Sequence, residues 1–155
     1  MELPYVHTGQ GQTVYETFGP PAYKTDQAAG FDLRACIEEP VTVRPIHMVA
    51  HPAVVPLGIA VAIPAGYEMQ LRPRSSLGGT WGVTLANSPG TIDPDYRGEV
   101  EARLVGQAPE PVVIRPGDRV VQAVIAPVAQ ATPTLVDDLD ETERGTGGFG
   151  VTGVQ

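Results

Sequence analysis

The sequence predicts an all-β fold, a sandwich or barrel of short strands, and three observations carry that prediction. Short runs rich in β-branched residues recur along the chain, several alternating with polar residues at period two. Gly and Pro supply 34 of the 155 residues, about twice the usual share of ~12%. Between Val41 and Val136 these two residues cut the chain every ten residues or so, which leaves room for at most one short helix.

Residues 1–25 mix Gly, Gln, Thr and Pro and read as an arm or an early hairpin. The β core is expected over 26–136. It opens with Ala28–Ala35 (AAGFDLRA), an alternating strand with Asp32 inside it. Further strands are read at Val41-Thr42-Val43, Leu57 to Ile63, Gly98 to Val105, Pro111 to Ile114 and Arg119 to Ile125. The single helix is placed around Ser75 to Gly78. After Val136 the acidic run Asp137 to Glu143 leads into Arg144-Gly145-Thr146-Gly147-Gly148-Phe149-Gly150. So Gly-rich a stretch favours neither strand nor helix, and residues 137–155 are expected to form a mobile C-terminal arm until something orders it. One domain, 1–155, accommodates this length.

Charge narrows the partners. Ten basic against 18 acidic residues give a net charge of −8. A chain this acidic does not hold a nucleic-acid backbone through a general positive field, so no nucleic-acid partner is expected. No apolar run approaches the ~18–20 residues of a membrane span, so no membrane partner is expected either. The start, MELPYVHTGQGQ, has neither a basic nor an apolar leader region. Cys36 is the only cysteine, reads as core, and fits a reducing, cytoplasmic setting. His47 and His51 stand four apart, but Pro45, Pro52 and the intervening Val argue against a helical metal pair there.

Five segments hold more polar chemistry than their turns need. Asp32 in AAGFDLRA would ordinarily be a solvated acid on an edge strand. Arg72-Pro73-Arg74-Ser75-Ser76-Leu77-Gly78-Gly79 offers two forked guanidinium groups and two hydroxyls where a strand gives way to a helical turn. Those donors suit a phosphate chain, though Ser at such a place is also ordinary N-cap chemistry. Asn87 to Gly98 (NSPGTIDPDYRG) packs Asn, two Asp, Tyr and Arg into twelve residues. Pro89-Gly90 predicts a turn with positive φ at Gly90, and Asp93-Pro94-Asp95 predicts another. Ile114 to Arg119 reads as a plain hairpin turn, and Gln122 in the apolar run beyond it needs a partner if buried. The tail has no Lys and opens no helix after a strand, so it is neither a P-loop nor a dinucleotide fingerprint. Trp81, between Gly79 and Gly82, reads as a packing anchor.

In this order the segments closely resemble the five motifs of the trimeric dUTP pyrophosphatases, the dUTPases: AAGFDLRA (28–35), RPRSSLGG (72–79), NSPGTIDPDYRGEV (87–100), RPGDRVVQAVI (115–125) and RGTGGFGVTG (144–153). One such match is weak; five in order over 28–153 are very specific. Two departures stand out. Val151 takes a place where many relatives carry a hydroxyl, and Arg44 to Pro56 is longer than in bacterial relatives.

The resemblance implies a distorted jelly-roll β-barrel assembled as a homotrimer with three shared active sites. It implies hydrolysis of dUTP to dUMP and pyrophosphate with Mg2+, which limits uracil incorporation into DNA and supplies dUMP for thymidylate synthesis. By the same likeness Asp93 is the general base that activates water for in-line attack on the α-phosphorus. Asn87 and the backbone at Gly90, Thr91 and Ile92 read uracil, and Tyr96 packs under the deoxyribose. Arg74, Ser75, Ser76, Gly78 and Gln122 hold phosphates, while Asp32 meets the metal through water. From the tail, Arg144 meets the γ-phosphate, Phe149 covers the uracil face and Thr152 closes on the phosphates. Two rivals use the same scaffold, a dCTP deaminase and a non-catalytic nucleotide sensor. Tyr96 and RGTGGFG argue against the first; Asp93, Arg144 and Phe149 together argue against the second.

Overall fold

The computed structural model describes residues 1–148 and turns the short apolar runs into antiparallel pairs. In chain order the elements are β1 (Tyr5–His7), α1 (Gly11–Phe18), β2 (Phe31–Arg34), β3 (Val41–Val43), β4 (Ala53–Pro56), β5 (Ile59–Val61) and β6 (Tyr67–Pro73). Then follow α2 (Ser75–Trp81), β7 (Val83–Leu85), β8 (Gly90–Ile92), β9 (Glu101–Gly106), β10 (Val112–Ile114) and β11 (Arg119–Pro127). The strands form one four-stranded sheet of order β2-β11-β6-β8, a three-stranded sheet β4-β9-β7, and the pairs β1-β5 and β10-β3.

The fold is all-β and jelly-roll-like, but among the described residues the four sheets do not close into a barrel. Most of the strands run only three or four residues, too short to carry one ladder round a circumference. The sheets instead share one core. Alternation puts Leu33 of β2, Met69 of β6, Leu104 of β9, Ile114 of β10 and Val121 of β11 inside, each essentially inaccessible. Among the described residues the buried set is apolar apart from the Tyr15 hydroxyl and the Cys36 thiol, so the core is held by apolar burial at roughly 25 cal/mol per Å².

Among the described residues two α-helices and a single 3-10 turn at Ile46–Met48 form where at most one short helix was expected, and the N-terminal arm is strand and helix rather than a hairpin. Strand β1 pairs with β5, and α1 follows. The helix forms because Val14 and Tyr15 turn into the core together, while Phe18, one turn on, reaches the loop before β11. There the Phe18 ring fills the space where a side chain on Gly117 would stand, and Gly117 sits at φ +82°. Arg34 lies over the same ring, 5.3 Å from its centroid, and donates to Gly117 O at 2.7 Å and Phe18 O at 3.1 Å. The arm is thereby fastened to the turn that starts β11. At the other end, residues 128–148 contain neither strand nor helix, and Leu135 is 98% exposed. Among the described residues no helix is long and apolar enough to cross a membrane.

The contact between arm and core buries two weak acids. Tyr15 donates to Leu57 O at 3.0 Å, and burial pushes its phenol well above the ordinary value. Burial likewise pushes the Cys36 thiol up to about 11. The folded chain thus keeps protons that the unfolded chain releases, so stability is full below the ordinary thiol range and falls as pH rises through it towards 11. Urea unfolding followed from neutral pH into that range should show a falling midpoint, and a Cys36→Ala chain should fall less steeply.

Candidate active site

Register gathers the first group of site residues on the outer face of the four-stranded sheet. Asp32 of β2 stands opposite Gln122 of β11, and Gln122 stands opposite Arg72 of β6. Neighbouring positions Leu33, Val121 and Leu71 point inward and are buried. Arg74 lies where β6 gives way to α2. Its backbone is extended (φ −73°, ψ 144°), and its side chain turns to Asp32, with Nε donating to Oδ1 at 2.9 Å. Arg74 Nη1 donates to Arg119 O at 3.2 Å and lies 3.5 Å from Ser76 Oγ.

The other Asp32 oxygen belongs to Arg119, whose Nη1 donates to Oδ2 at 2.8 Å. Two guanidinium groups therefore flank one carboxylate that is only 14% exposed. Arg119 was not among the residues the sequence singled out. Its segment reads as a plain hairpin turn, and Asp118 does close that turn by accepting from Arg115 N at 2.8 Å.

Ser75 and Ser76 open α2 without capping it. The N-cap is Arg74, no side chain caps the helix, and both Ser residues are exposed. Gly78 N donates to Arg74 O at 2.9 Å, leaving the earlier N–H groups of the turn without a helical acceptor. Gln122 is half-buried and makes no side-chain hydrogen bond among the described residues; its Oε1 lies beside Gly30, where a Cβ would stand 3.1 Å away. A cavity of about 220 Å³ opens here, lined by Arg74, Ser76, Leu77, Trp81, Asp118 and Arg119. Positive charge, hydroxyls, free N–H groups and an uncommitted amide suit an oxyanion chain.

The second group sits on β8 and the turn after it. Gly90 is extended and pairs with Leu71, so the positive φ expected there does not occur; ladder pairing takes the extended conformation instead. Asn87 and Thr91 are exposed and Ile92 is half-buried. Tyr96 N donates to Asp93 O at 3.2 Å, closing the second expected turn. Arg97 Nη1 braces that turn by donating to Pro94 O at 2.6 Å and Tyr96 O at 2.9 Å. The Tyr96 hydroxyl donates to Glu99 O at 3.0 Å, and its ring occupies the space a side chain on Gly98 would need. The Asp93 carboxylate is exposed, accepts no side-chain hydrogen bond among the described residues, and lines a cavity of about 720 Å³ with Glu68, Thr91 and Asp95.

Within one chain the Asp93 turn lies apart from the first group, although Gly90 pairs beside that group. Ile92, just before Asp93, pairs with Met69, and Arg74 lies five residues further along β6. At ~3.3 Å per residue that is about 17 Å. Arg144 is not brought to either group; its Nε donates to Gly147 O at 2.8 Å within a local turn. Phe149 and Thr152, with the expected closure of the tail, lie outside the described residues. Among the described residues no three His, Cys, Asp or Glu side chains group as a metal cluster.

Comparison with known proteins adds family evidence to this geometry. The family model described as dUTPase matches residues 17–153. The deoxyuridine 5'-triphosphate nucleotidohydrolase of Maricaulis maris (strain MCS10) is 48% identical over 143 residues, 91% of each chain. That of Desulfotalea psychrophila (strain LSv54 / DSM 12343) is 51% identical over 139 residues, 90% of each chain. Among solved structures, a Staphylococcus bacteriophage 80alpha dUTPase variant with dUpNHpp superposes with a TM-score of 0.76 at 22% identity, covering 99% of both chains. A variant dUTPase from phage phi11 of S. aureus, described with the coordination of a structural Mg(II) ion, gives 0.71 at 21% identity, covering 91% of this chain and 100% of that one. At these identities the structures bear on fold alone.

The Tyr96 ring depends on Gly98 having no side chain. Gly98→Ala should push the ring aside and break its bond to Glu99 O, at a cost of about 1 kcal/mol. Denaturant unfolding should show that modest loss, and an unchanged midpoint would show that the ring is not held there.

Proposed function

The chain belongs to the dUTPase family, and from that membership and the site's geometry we propose that it hydrolyses dUTP to dUMP and pyrophosphate by in-line attack of water on the α-phosphorus. The observation that carries the reading is the concentration of anion donors beside Asp32 on the outer face of one sheet: Arg74, whose Nη2 makes no hydrogen bond among the described residues, Ser75, Ser76 and Gln122. The name shared by the curated relatives supports the choice of nucleotide.

In this reading Arg74, the Ser75 and Ser76 hydroxyls, the backbone around Gly78 and the Gln122 amide hold the phosphates. Asp93 keeps its carboxylate oxygens free of intrachain side-chain bonds, so it can orient a water and take its proton. Asn87 and the β8 backbone at Gly90, Thr91 and Ile92 read uracil. The Tyr96 ring, fixed over Gly98 by its bond to Glu99, packs under the deoxyribose and leaves no room for a 2′-hydroxyl. From the tail, Arg144 adds charge at the γ-phosphate, Phe149 covers the base and Thr152 bonds the phosphates.

Magnesium fits this donor set in one way. Each Asp32 oxygen already accepts from a guanidinium, so direct ligation beside two cations is disfavoured, and a contact through water with the phosphates as principal ligands is favoured. When bound, the ion would neutralise charge on the phosphate oxygens. Positioning by the chain then does the rest.

The separation of the two groups supports a site shared between copies. One copy would supply the phosphate side and another the Asp93 turn, with the tail of a third closing over both, in a homotrimer. A single domain in a cytoplasmic setting, with no nucleic-acid or membrane partner, completes the proposal.

Incubation with dUTP, dTTP, dCTP and UTP, followed by product identification, tests the reading. Only dUTP should yield its monophosphate and pyrophosphate at an appreciable rate, and comparable turnover of dCTP or UTP would overturn it. Asp93→Asn should keep nucleotide binding and lose on the order of 10²–10⁴ in kcat. A near-normal kcat would remove Asp93 from the mechanism.

A further inference from the structure

We infer that Arg119 is a positioning residue for phosphate binding, acting through Asp32 on Arg74; this rests on the reading of Arg74 as a phosphate donor. The backbone shows how Arg119 reaches that place. Strict alternation along β11 would put Arg119 on the same side as Val121 and Ala123, both fully buried. A register shift between Arg119 and Val121 interrupts the ladder, so that Arg119 pairs with Arg34 while Val121 pairs with Leu33. The extra residue in β11 moves Arg119 to the outer face, the face of Asp32 and Gln122. Bulges commonly re-aim a side chain beside a functional site.

The contacts then run in a closed chain. Arg119 Nη1 holds Asp32 Oδ2 at 2.8 Å, Asp32 Oδ1 holds Arg74 Nε at 2.9 Å, and Arg74 Nη1 returns to Arg119 O at 3.2 Å. Asp32 takes the Nε edge of Arg74, and the position of the Arg74 fork follows from the position of the carboxylate. Without Arg119 the carboxylate keeps one cation instead of two, and with Oδ2 released it can rotate about its fixed strand position, taking Oδ1 out of the place that holds Arg74 Nε. A carboxylate 14% exposed does not recover the difference from solvent as a surface acid does. Arg119 also lines the 220 Å³ cavity with Arg74 and Ser76, on the side the phosphates would enter. Lys in its place would keep the charge and lose the planar fork.

A double-mutant cycle on the full chain tests this, with pyrophosphate affinity by calorimetry as a readout that needs no turnover. Arg119→Ala should weaken pyrophosphate binding about tenfold or more and lower kcat/KM for dUTP, and Arg119→Lys should recover part of both. Asp32→Asn should produce a similar loss, and adding Arg119→Ala to it should cost little more, because both act through one link. Fully additive losses, or pyrophosphate binding unchanged in both the Ala and the Lys variant, would overturn the inference. If Arg119→Ala does not fold, Arg119→Lys and Asp32→Asn still form a cycle. Wild-type failure to hydrolyse dUTP would count against the functional reading, whereas wild-type pyrophosphate binding indifferent to Arg119 would count against this inference alone.

Discussion

One carboxylate organises the guanidinium groups on the outer face of the four-stranded sheet. Asp32 is anchored by a strand whose alternate residues, Phe31 and Leu33, are buried, so its own direction is fixed by the core. It spends that rigidity on two guanidinium groups drawn from different elements, Arg74 after β6 and Arg119 at the start of β11. A flexible Arg aimed at solvent would lose rotamer entropy on meeting a ligand; one already held by an ion pair loses less. With Asp118 also lining the cavity, the two guanidinium groups face two carboxylates, so a chain of net charge −8 offers placed N–H donors here rather than a broad positive field.

The strand that serves this arrangement, β11, is an inner strand of the sheet, pairing with β2 along one edge and β6 along the other. Its start is fastened by the Gly117 turn, on which the Phe18 ring and Arg34 converge. The N-terminal helix thus reaches the site indirectly, by holding the turn from which Arg119 departs. What the fold does not do within one chain is join the Arg74–Asp32 cluster to the Asp93 turn, since the two lie towards opposite ends of β6.

Much of this was legible in the sequence. Period-two patterning placed Val41–Val43 and Asp32 on strands because burial on one face is a local signal. The short helix after Arg74 was visible, though it runs on to Trp81. Helix α1 was not, because its sequence, GQTVYETF, is polar and opens on Gly; the spacing of Val14, Tyr15 and Phe18 was the available clue. Positive φ at Gly90 was wrong for a related reason: the Pro-Gly pair signals a turn locally, but pairing with Leu71 is a tertiary demand and prevails. Arg119 was hidden because alternation assigns it to the core side, and only the bulge reverses that. A closed barrel does not follow from alternation, which fixes the faces of strands and not how far a ladder extends.

Mixing two inactive variants tests most directly whether the site is shared between copies. An Asp93→Asn chain keeps the proposed phosphate donors, and an Arg74→Ala chain keeps the proposed catalytic turn. Unfolded together and refolded, the two should regain dUTP hydrolysis that neither has alone, because mixed assemblies contain sites with both intact halves. A mixture no more active than its parts would contradict a shared site and return the whole reaction to a single chain.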